Sequence, residues 1–215
     1  MIEILVTLVI LMIGLLGIAG LMAQGQRASF EAYQRQQALM LANDMAERIK
    51  ANRAGVDSGE VTATYAATVP LGTPAGDGTR FGSLTTNCIT ATCDTSQTVL
   101  FDAAMWDGLL AGDAAEKVSG TGVGPLITPR GCVQTLSSTA CACAGAPGSR
   151  QVIYRVSVAW QGNYATESPE VADAANTCGR GQYSNPVDPG AGPDEAFRRL
   201  VAVDVYTVLP CACPL

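Results

Sequence analysis

The chain has 215 residues, a formal net charge of −6 and no histidine. Its 13 Lys and Arg residues are scattered along the sequence, which argues against nucleic acid as a partner because nucleic-acid binding depends on clustered basic side chains. The lack of histidine removes the commonest general base and the commonest metal ligand. We therefore expect a protein that is not an enzyme and needs no cofactor.

The N-terminal segment is apolar enough to cross a membrane. Residues 4–23 contain one Thr and no charge. At roughly 1.5 Å per residue they form a helix about 30 Å long, which matches the hydrocarbon core of a bilayer. We predict that residues 1–23 are the transmembrane half of an N-terminal helix.

Glu3 stands at the edge of this segment. A carboxylate in lipid is costly and is usually paired. Two interpretations follow: Glu3 pairs with a cation of another subunit at the same depth, or it lies among the lipid headgroups and reaches water. Composition alone favours the second interpretation.

Three glycines, Gly14, Gly17 and Gly20, recur every third residue inside the membrane half. Each costs about 1 kcal/mol relative to Ala in a helix interior. They indicate either a surface for close helix–helix contact in lipid or a soft spot where the helix can bend or stretch. The sequence does not separate these two interpretations, which can coexist.

The helix is predicted to continue beyond the membrane as an amphipathic half over residues 24–54. Residues 24–52 contain no proline, and Gly25 is their single glycine. The apolar side chains of this half follow the helical period on one face: Ala38, Leu41, Ala42, Met45, Ala46 and Ile49. Gly55 marks the expected stop, so the helix should end near residue 53.

The rest of the chain, residues 55–215, is predicted to be one globular domain. A short strand is expected at 61–69 and a short helix at 101–112, with Asp102 as its N-cap. Strands are expected at 131–137, 151–161 and 197–209, with a long polar loop over 162–196. Together these elements predict an α+β protein, in which the amphipathic half of the helix packs on a small antiparallel sheet.

Eight cysteines follow the helix, at Cys88, Cys93, Cys132, Cys141, Cys143, Cys178, Cys211 and Cys213. An even number beyond a membrane segment indicates disulfides formed in an oxidising compartment. We expect a local Cys88–Cys93 bridge, a bridge from Cys132 to Cys141 or Cys143, and one from Cys178 to Cys211 or Cys213. The rival interpretation, a metal held by the two C-x-C elements, is disfavoured because an oxidising compartment favours bridges.

Three acidic residues in the long loop, Asp188, Asp194 and Glu195, raise the question of calcium. Their spacing does not match an EF-hand loop. We therefore expect no metal site. The same loop, residues 162–196, and the cysteine-rich segment 132–143 are candidate contact surfaces for other proteins, although a solvated loop is the simpler interpretation of both.

Several stretches resemble the type IV pilin superfamily and, within it, the minor pilin family called type IV pilus modification protein PilV. They are the N-terminal MIEILVTLVILMIGLLGIAGLMAQGQ, the helix tail ANDMAERIKANR, and the later stretches YRVSVAWQG, CGRGQY and RRLVAVDVY. The resemblance implies the type IV pilin fold, a long N-terminal helix on a small antiparallel sheet with disulfide-stapled loops. Glu3 lies two positions nearer the start than the family pattern places it, so we expect a leader and two mature residues to precede Met1.

The resemblance also implies a function. A protein of this family is first held in the bacterial inner membrane, with its globular domain in the periplasm, and is then incorporated into the pilus tip. Its implied partners are other minor pilins, the major pilin, a large tip adhesin, the inner-membrane assembly platform and the prepilin peptidase. Glu3 would pair with the free α-amine of a neighbouring subunit, which reverses the preference that composition alone gives.

Three other functions remain open at this point. A minor pseudopilin of a type II secretion system shares the same helix and differs in the machine that it serves. A membrane-anchored periplasmic binding module needs neither Glu3 nor a helix of this length. A membrane-tethered enzyme is disfavoured because histidine, a nucleophile motif and clustered carboxylates are all missing from the sequence.

Overall fold

The computed structural model describes residues 2–52, 64–81, 86–112, 117–118, 121–122, 124–139, 148–169 and 175–211. It divides into two compact units, Met1–Gln36 and Gln37–Leu215.

The first element, helix α1, runs from Ile2 to Ala51. It ends close to the predicted position, while the expected stop at Gly55 lies outside the described residues. Within the second unit, the predicted apolar stripe is confirmed: Ala38, Ala42, Met45, Ala46 and Ile49 are buried, and Leu41 is half-buried. The last part of α1 is therefore one wall of the core of this unit.

Helix α2, Tyr65–Thr68, replaces part of a predicted strand. The expected strand at 61–69 is wrong for residues 65–68, and residues 61–63 lie outside the described part of the chain. The side chain of Thr64 accepts a hydrogen bond from the Ala67 N–H and so caps the short helix. Tyr65 is fully buried and anchors this turn in the core.

Helix α3, Thr95–Ala111, is longer than predicted. Its end agrees with the expected 101–112 segment, but it begins six residues earlier, and Asp102 is not its N-cap. Asp94 is the N-cap and forms a reciprocal capping box with Gln97. The interpretation of Asp102 as a cap is wrong because the helix begins about two turns upstream, where the Asp94–Gln97 pair satisfies the first-turn N–H groups.

The main sheet has three antiparallel strands, β3 Arg130–Ser138, β4 Gly148–Gln161 and β5 Arg198–Cys211. They lie side by side in the order β3-β4-β5. All three strands were predicted from the sequence, and the α+β arrangement is confirmed. A separate pair of short antiparallel strands, β1 Lys117–Val118 and β2 Thr121–Gly122, precedes them. Two 3-10 turns, Pro189–Ala191 and Glu195–Phe197, interrupt the polar loop.

One face of the sheet forms the core with α1 and α3. The alternation predicted for β4 is confirmed, because its core-facing side chains Val152, Tyr154, Val156, Val158 and Trp160 are all buried. They belong to one apolar cluster with the α1 stripe and with Val99, Ala103, Trp106 and Leu110 of α3. Apolar burial of this kind is the main stabilising term of such a unit.

The opposite face of the sheet, which we call the outer face, is covered at one end and open at the other. Residues 175–184 cover Ser157 of β4, whose hydroxyl accepts a hydrogen bond from the Asn176 side chain at 2.8 Å. At the other end, Tyr206 of β5 is 72% exposed. The described residues of the long loop therefore cover only part of this face.

Candidate functional site

The apolar part of α1 has the properties of a membrane span. Among the described residues, α1 is the one helix long and apolar enough to cross a membrane. Every residue from Ile2 to Phe30 is exposed. The hydroxyl of Thr7 donates to the Ile4 carbonyl at 2.9 Å, so the single polar side chain of residues 4–23 is satisfied within the helix. Lipid requires such internal satisfaction of polar groups.

Glu3 lies in the first turn of α1 and is exposed. The next charged residue along the chain is Arg27. A negative charge in the first turn is favourable because the N-terminal end of a helix carries a partial positive charge. Glu3 is thus the single charge at the start of an uncharged stretch of 4–26.

The three glycines of the apolar segment have no packing role within the chain. A Cβ atom added to Gly14, Gly17 or Gly20 meets no other atom within 4 Å. All three stand in unbroken α-helix. Nothing inside this chain therefore requires glycine there, and both earlier interpretations, helix–helix contact and a soft spot, remain predictions.

A tryptophan ties the last part of α1 to α3. The indole N–H of Trp106 donates to the backbone carbonyl of Leu41 at 2.8 Å. Trp106 is fully buried, and its ring lies against Gly131 of β3, where a Cβ would come within 2.4 Å of the ring. One side chain therefore connects the helix, α3 and the sheet.

A polar cluster of Arg48, Tyr65 and Asp102 makes a second connection between α1 and α3. The Tyr65 hydroxyl donates to Asp102 at 2.6 Å, and the Arg48 guanidinium donates to the other Asp102 oxygen at 3.2 Å. Arg48 also pairs with Asp44 at 2.8 Å. Burial, and after it the hydrogen bond to Asp102, raises the pKa of Tyr65 far above its ordinary value. The residue predicted as a helix cap is therefore an acceptor on α3 for donors from α1 and α2.

We expect Tyr65→Phe to lower the free energy of unfolding by about 1–2 kcal/mol, because it leaves Asp102 with one partner fewer. It should also weaken the alkaline dependence of stability. The folded pKa of this phenol is raised, so its contribution is complete below the unfolded value of about 10 and is lost as the pH rises above it. Melting temperatures between pH 8 and 12 measure this slope, with Tyr206→Phe at the exposed end of the sheet as the control. Equal slopes for both variants would contradict the assignment.

The described cysteines form two disulfides. Cys88–Cys93 confirms the predicted local bridge. The second bridge joins Cys132 to Cys178, so the expected links from Cys132 to Cys141 or Cys143 and from Cys178 to Cys211 or Cys213 are wrong. The reason lies in the fold: the long loop returns over the outer face and brings Cys178 against β3. Cys141, Cys143 and Cys213 lie outside the described residues, and only the backbone of Cys211 is described.

A buried arginine holds the loop that carries Cys178. Arg198, which is fully buried at the start of β5, donates to the carbonyls of Asn176 and Cys178 at 3.2 and 3.1 Å. It also pairs with Glu195, whose other oxygen accepts from the Gly181 N–H at 2.7 Å. The disulfide, the arginine and Glu195 together fix residues 176–181 to the sheet.

Two of the three acidic residues considered for calcium have other partners. Glu195 pairs with Arg198, and the Asp194 side chain accepts from the Ala196 N–H at 2.9 Å. Asp188 makes no side-chain cap to the 3-10 turn that follows it. Within the described ranges, no three His, Cys, Asp or Glu residues are grouped to hold a metal ion.

The sequence analysis did not predict the contacts of Arg198 with the long loop or those of Asp102 with Arg48 and Tyr65. Arg198 and Asp102 lie on different elements from their partners, and no local pattern predicts such contacts. Comparison with known proteins adds no assignment: no family model, curated protein or solved structure matches the chain.

Proposed function

We propose that the chain is a minor pilin of a type IV pilus, with residues 1–23 in the bacterial inner membrane and the globular domain in the periplasm. One observation carries the proposal. The first part of α1 is apolar and exposed all round, whereas its last part is a wall of the core of a disulfide-containing α+β unit. A simple membrane anchor needs no such direct continuation into the core of the domain that it tethers.

In this proposal, helices of neighbouring subunits cover the apolar segment during assembly. The glycines at 14, 17 and 20 then allow close approach of those helices, because small residues let backbones come together in lipid. Glu3 accepts from the α-amine of an adjacent subunit at similar depth, and this pairing fixes the axial register between the two chains.

The proposed role is to join other minor pilins in a complex that initiates pilus assembly and presents a large tip adhesin. The major pilin, the assembly platform and the prepilin peptidase are the other proposed partners. The disulfides support a location in the periplasm and then outside the cell, since bridges form and persist in oxidising compartments. The role is structural and not catalytic, and it serves adhesion and twitching motility.

The proposal predicts that Glu3→Gln stops incorporation into pili and leaves membrane insertion intact. Removing one partner of a buried ion pair costs about 3–5 kcal/mol. At 1.4 kcal/mol per factor of ten, incorporation should fall roughly a hundredfold or more. Quantitative immunoblots of sheared pili and of inner-membrane fractions measure the two pools.

Glu47→Gln is the matched control, because it makes the same chemical change on an exposed position of the same helix. It should leave both pools unchanged. Normal incorporation of the Glu3→Gln protein, at the level of the control, would refute the proposed pairing. Export defects without a pilus defect would favour the secretion-system alternative.

A further inference from the structure

Strand β5 is an edge of the main sheet. Among the described residues it pairs with β4 on one side, and its register runs unbroken from Arg198 to Cys211. On its other side no described element bonds to the backbone of residues 200–208. An edge strand points every second N–H and C=O away from its sheet, so these residues present a row of donors and acceptors.

Within residues 200–208, strand β5 lacks most of the features that usually protect an edge. Its one proline, Pro210, lies beyond them near the end of the strand. Natural edges carry lysine, proline, a bulge or a covering segment. Residues 200–208, LVAVDVYTV, contain no Lys, Pro or Gly. The opposite edge differs: β3 has a register shift between Thr135 and Ser137, and the bridge from Ala75 to Gly131 covers its start.

The outward side chains of β5 offer both apolar area and one charge. Tyr206 is 72% and Val208 57% exposed. Asp204 lies on the same face, nearer the end of the strand that residues 175–184 cover. Arg155 of β4 donates to both oxygens of Asp204, at 2.7 and 2.9 Å. Those hydrogen bonds lower the pKa of the Asp204 carboxyl, so it stays ionised.

This charge argues against a second copy as the occupant of the edge. Antiparallel pairing of β5 with itself at full overlap of residues 200–208 sets Asp204 opposite Asp204. Like charges directly across a pair are destabilising. Each carboxylate keeps its own Arg155 partner, so two facing aspartates gain no attraction from the pairing. Each copy also carries a net charge of −6. A strand with a basic residue opposite Asp204 is complementary, as β4 demonstrates on the other side with Arg155.

We propose that β5 accepts an extended strand of a different protein, antiparallel along residues 200–208, with a basic residue facing Asp204. Backbone hydrogen bonds supply the pairing, and alternate side chains supply the specificity. The inference goes beyond the role proposed for α1 and rests on β5 alone.

The test uses a peptide with the sequence of residues 151–159, QVIYRVSVA, which already pairs with residues 200–208 inside the sheet in an Arg-to-Asp204 register. It is added to the full-length protein in detergent, and amide hydrogen exchange is followed. We expect alternate amides of residues 200–208 to exchange at least tenfold more slowly, while β3 is unchanged.

Two matched peptides separate strand pairing from apolar contact. The same peptide N-methylated at alternate residues cannot form the backbone ladder and should give no protection. The peptide with Glu in place of Arg should bind about two- to fivefold more weakly, and Asp204→Asn in the protein should remove that difference.

The outcomes decide the proposal. Protection by the unmethylated peptide alone, with the expected charge preference, supports it. Equal protection by the methylated peptide, or no protection by any peptide, overturns strand addition. Protection of residues 200–208 that grows with protein concentration in the absence of peptide overturns the choice of a different protein, because it identifies a second copy as the occupant.

Discussion

Replacing Cys132 and Cys178 together by alanine should lower the free energy of unfolding of the globular unit by about 4 kcal/mol. The bridge joins residues 46 apart in sequence. In the chain-entropy account, a bridge that closes a loop of this length lowers the entropy of the unfolded chain and so stabilises the folded state by about 4 kcal/mol. Both cysteines are fully buried, and alanine puts no polar group in their place.

The Cys88–Cys93 bridge is the internal control for this prediction. It joins residues 5 apart, and the same account gives about 2 kcal/mol for its removal. Urea unfolding followed by the fluorescence of the two core tryptophans, Trp106 and Trp160, measures both variants. A larger loss for the short bridge than for the long one would contradict the assigned pairing, as would a peptide map that lacks the Cys132–Cys178 link.

The second large effect is expected for Gly131→Ala in β3. A Cβ at this position would lie 2.4 to 2.6 Å from the Trp106 ring and from the Leu110 side chain. Overpacking of a filled core costs about 1–3 kcal/mol. The Trp106 ring cannot move away from the added Cβ without losing the hydrogen bond from its indole N–H to the Leu41 carbonyl.

Gly72→Ala is the control for the glycine substitution, since an added Cβ there meets nothing within 4 Å. It should stay within about 0.5 kcal/mol of the wild type. In a Trp106→Phe background, Gly131→Ala should cost less, because the smaller ring makes room. Unfolding free energies of the four proteins give this coupling directly, and strict additivity would show that the two residues do not meet.

The elements with a strong period were predictable from the sequence. The apolar stripe from Ala38 to Ile49 and the alternation of β4 each place several side chains on one face, and no other element type satisfies those spacings. The strand predicted at 61–69 is wrong for residues 65–68, because the cap at Thr64 and the alanines at 66 and 67 favour a helical turn there over an extended strand.

The connections between elements were not predictable. The eight cysteines allow on the order of 100 complete pairings, and the correct choice for Cys132 depends on where a long loop returns. Asp102 shows the same limit: its position after Phe101 resembles a cap locally, but its partners Arg48 and Tyr65 are far away in the sequence. Single-sequence patterns carry local information, and these contacts are long-range.

The most direct test of the proposed assembly is a high-resolution cryo-microscopy reconstruction of the pilus tip that contains the full-length chain. The quantity to measure is the distance from the Glu3 carboxylate to the nearest cation of an adjacent subunit. Our account predicts a separation of about 3 Å to an α-amine, within the helix bundle and away from water. A Glu3 side chain that faces solvent, or a chain whose apolar helix contacts no other subunit, would contradict it.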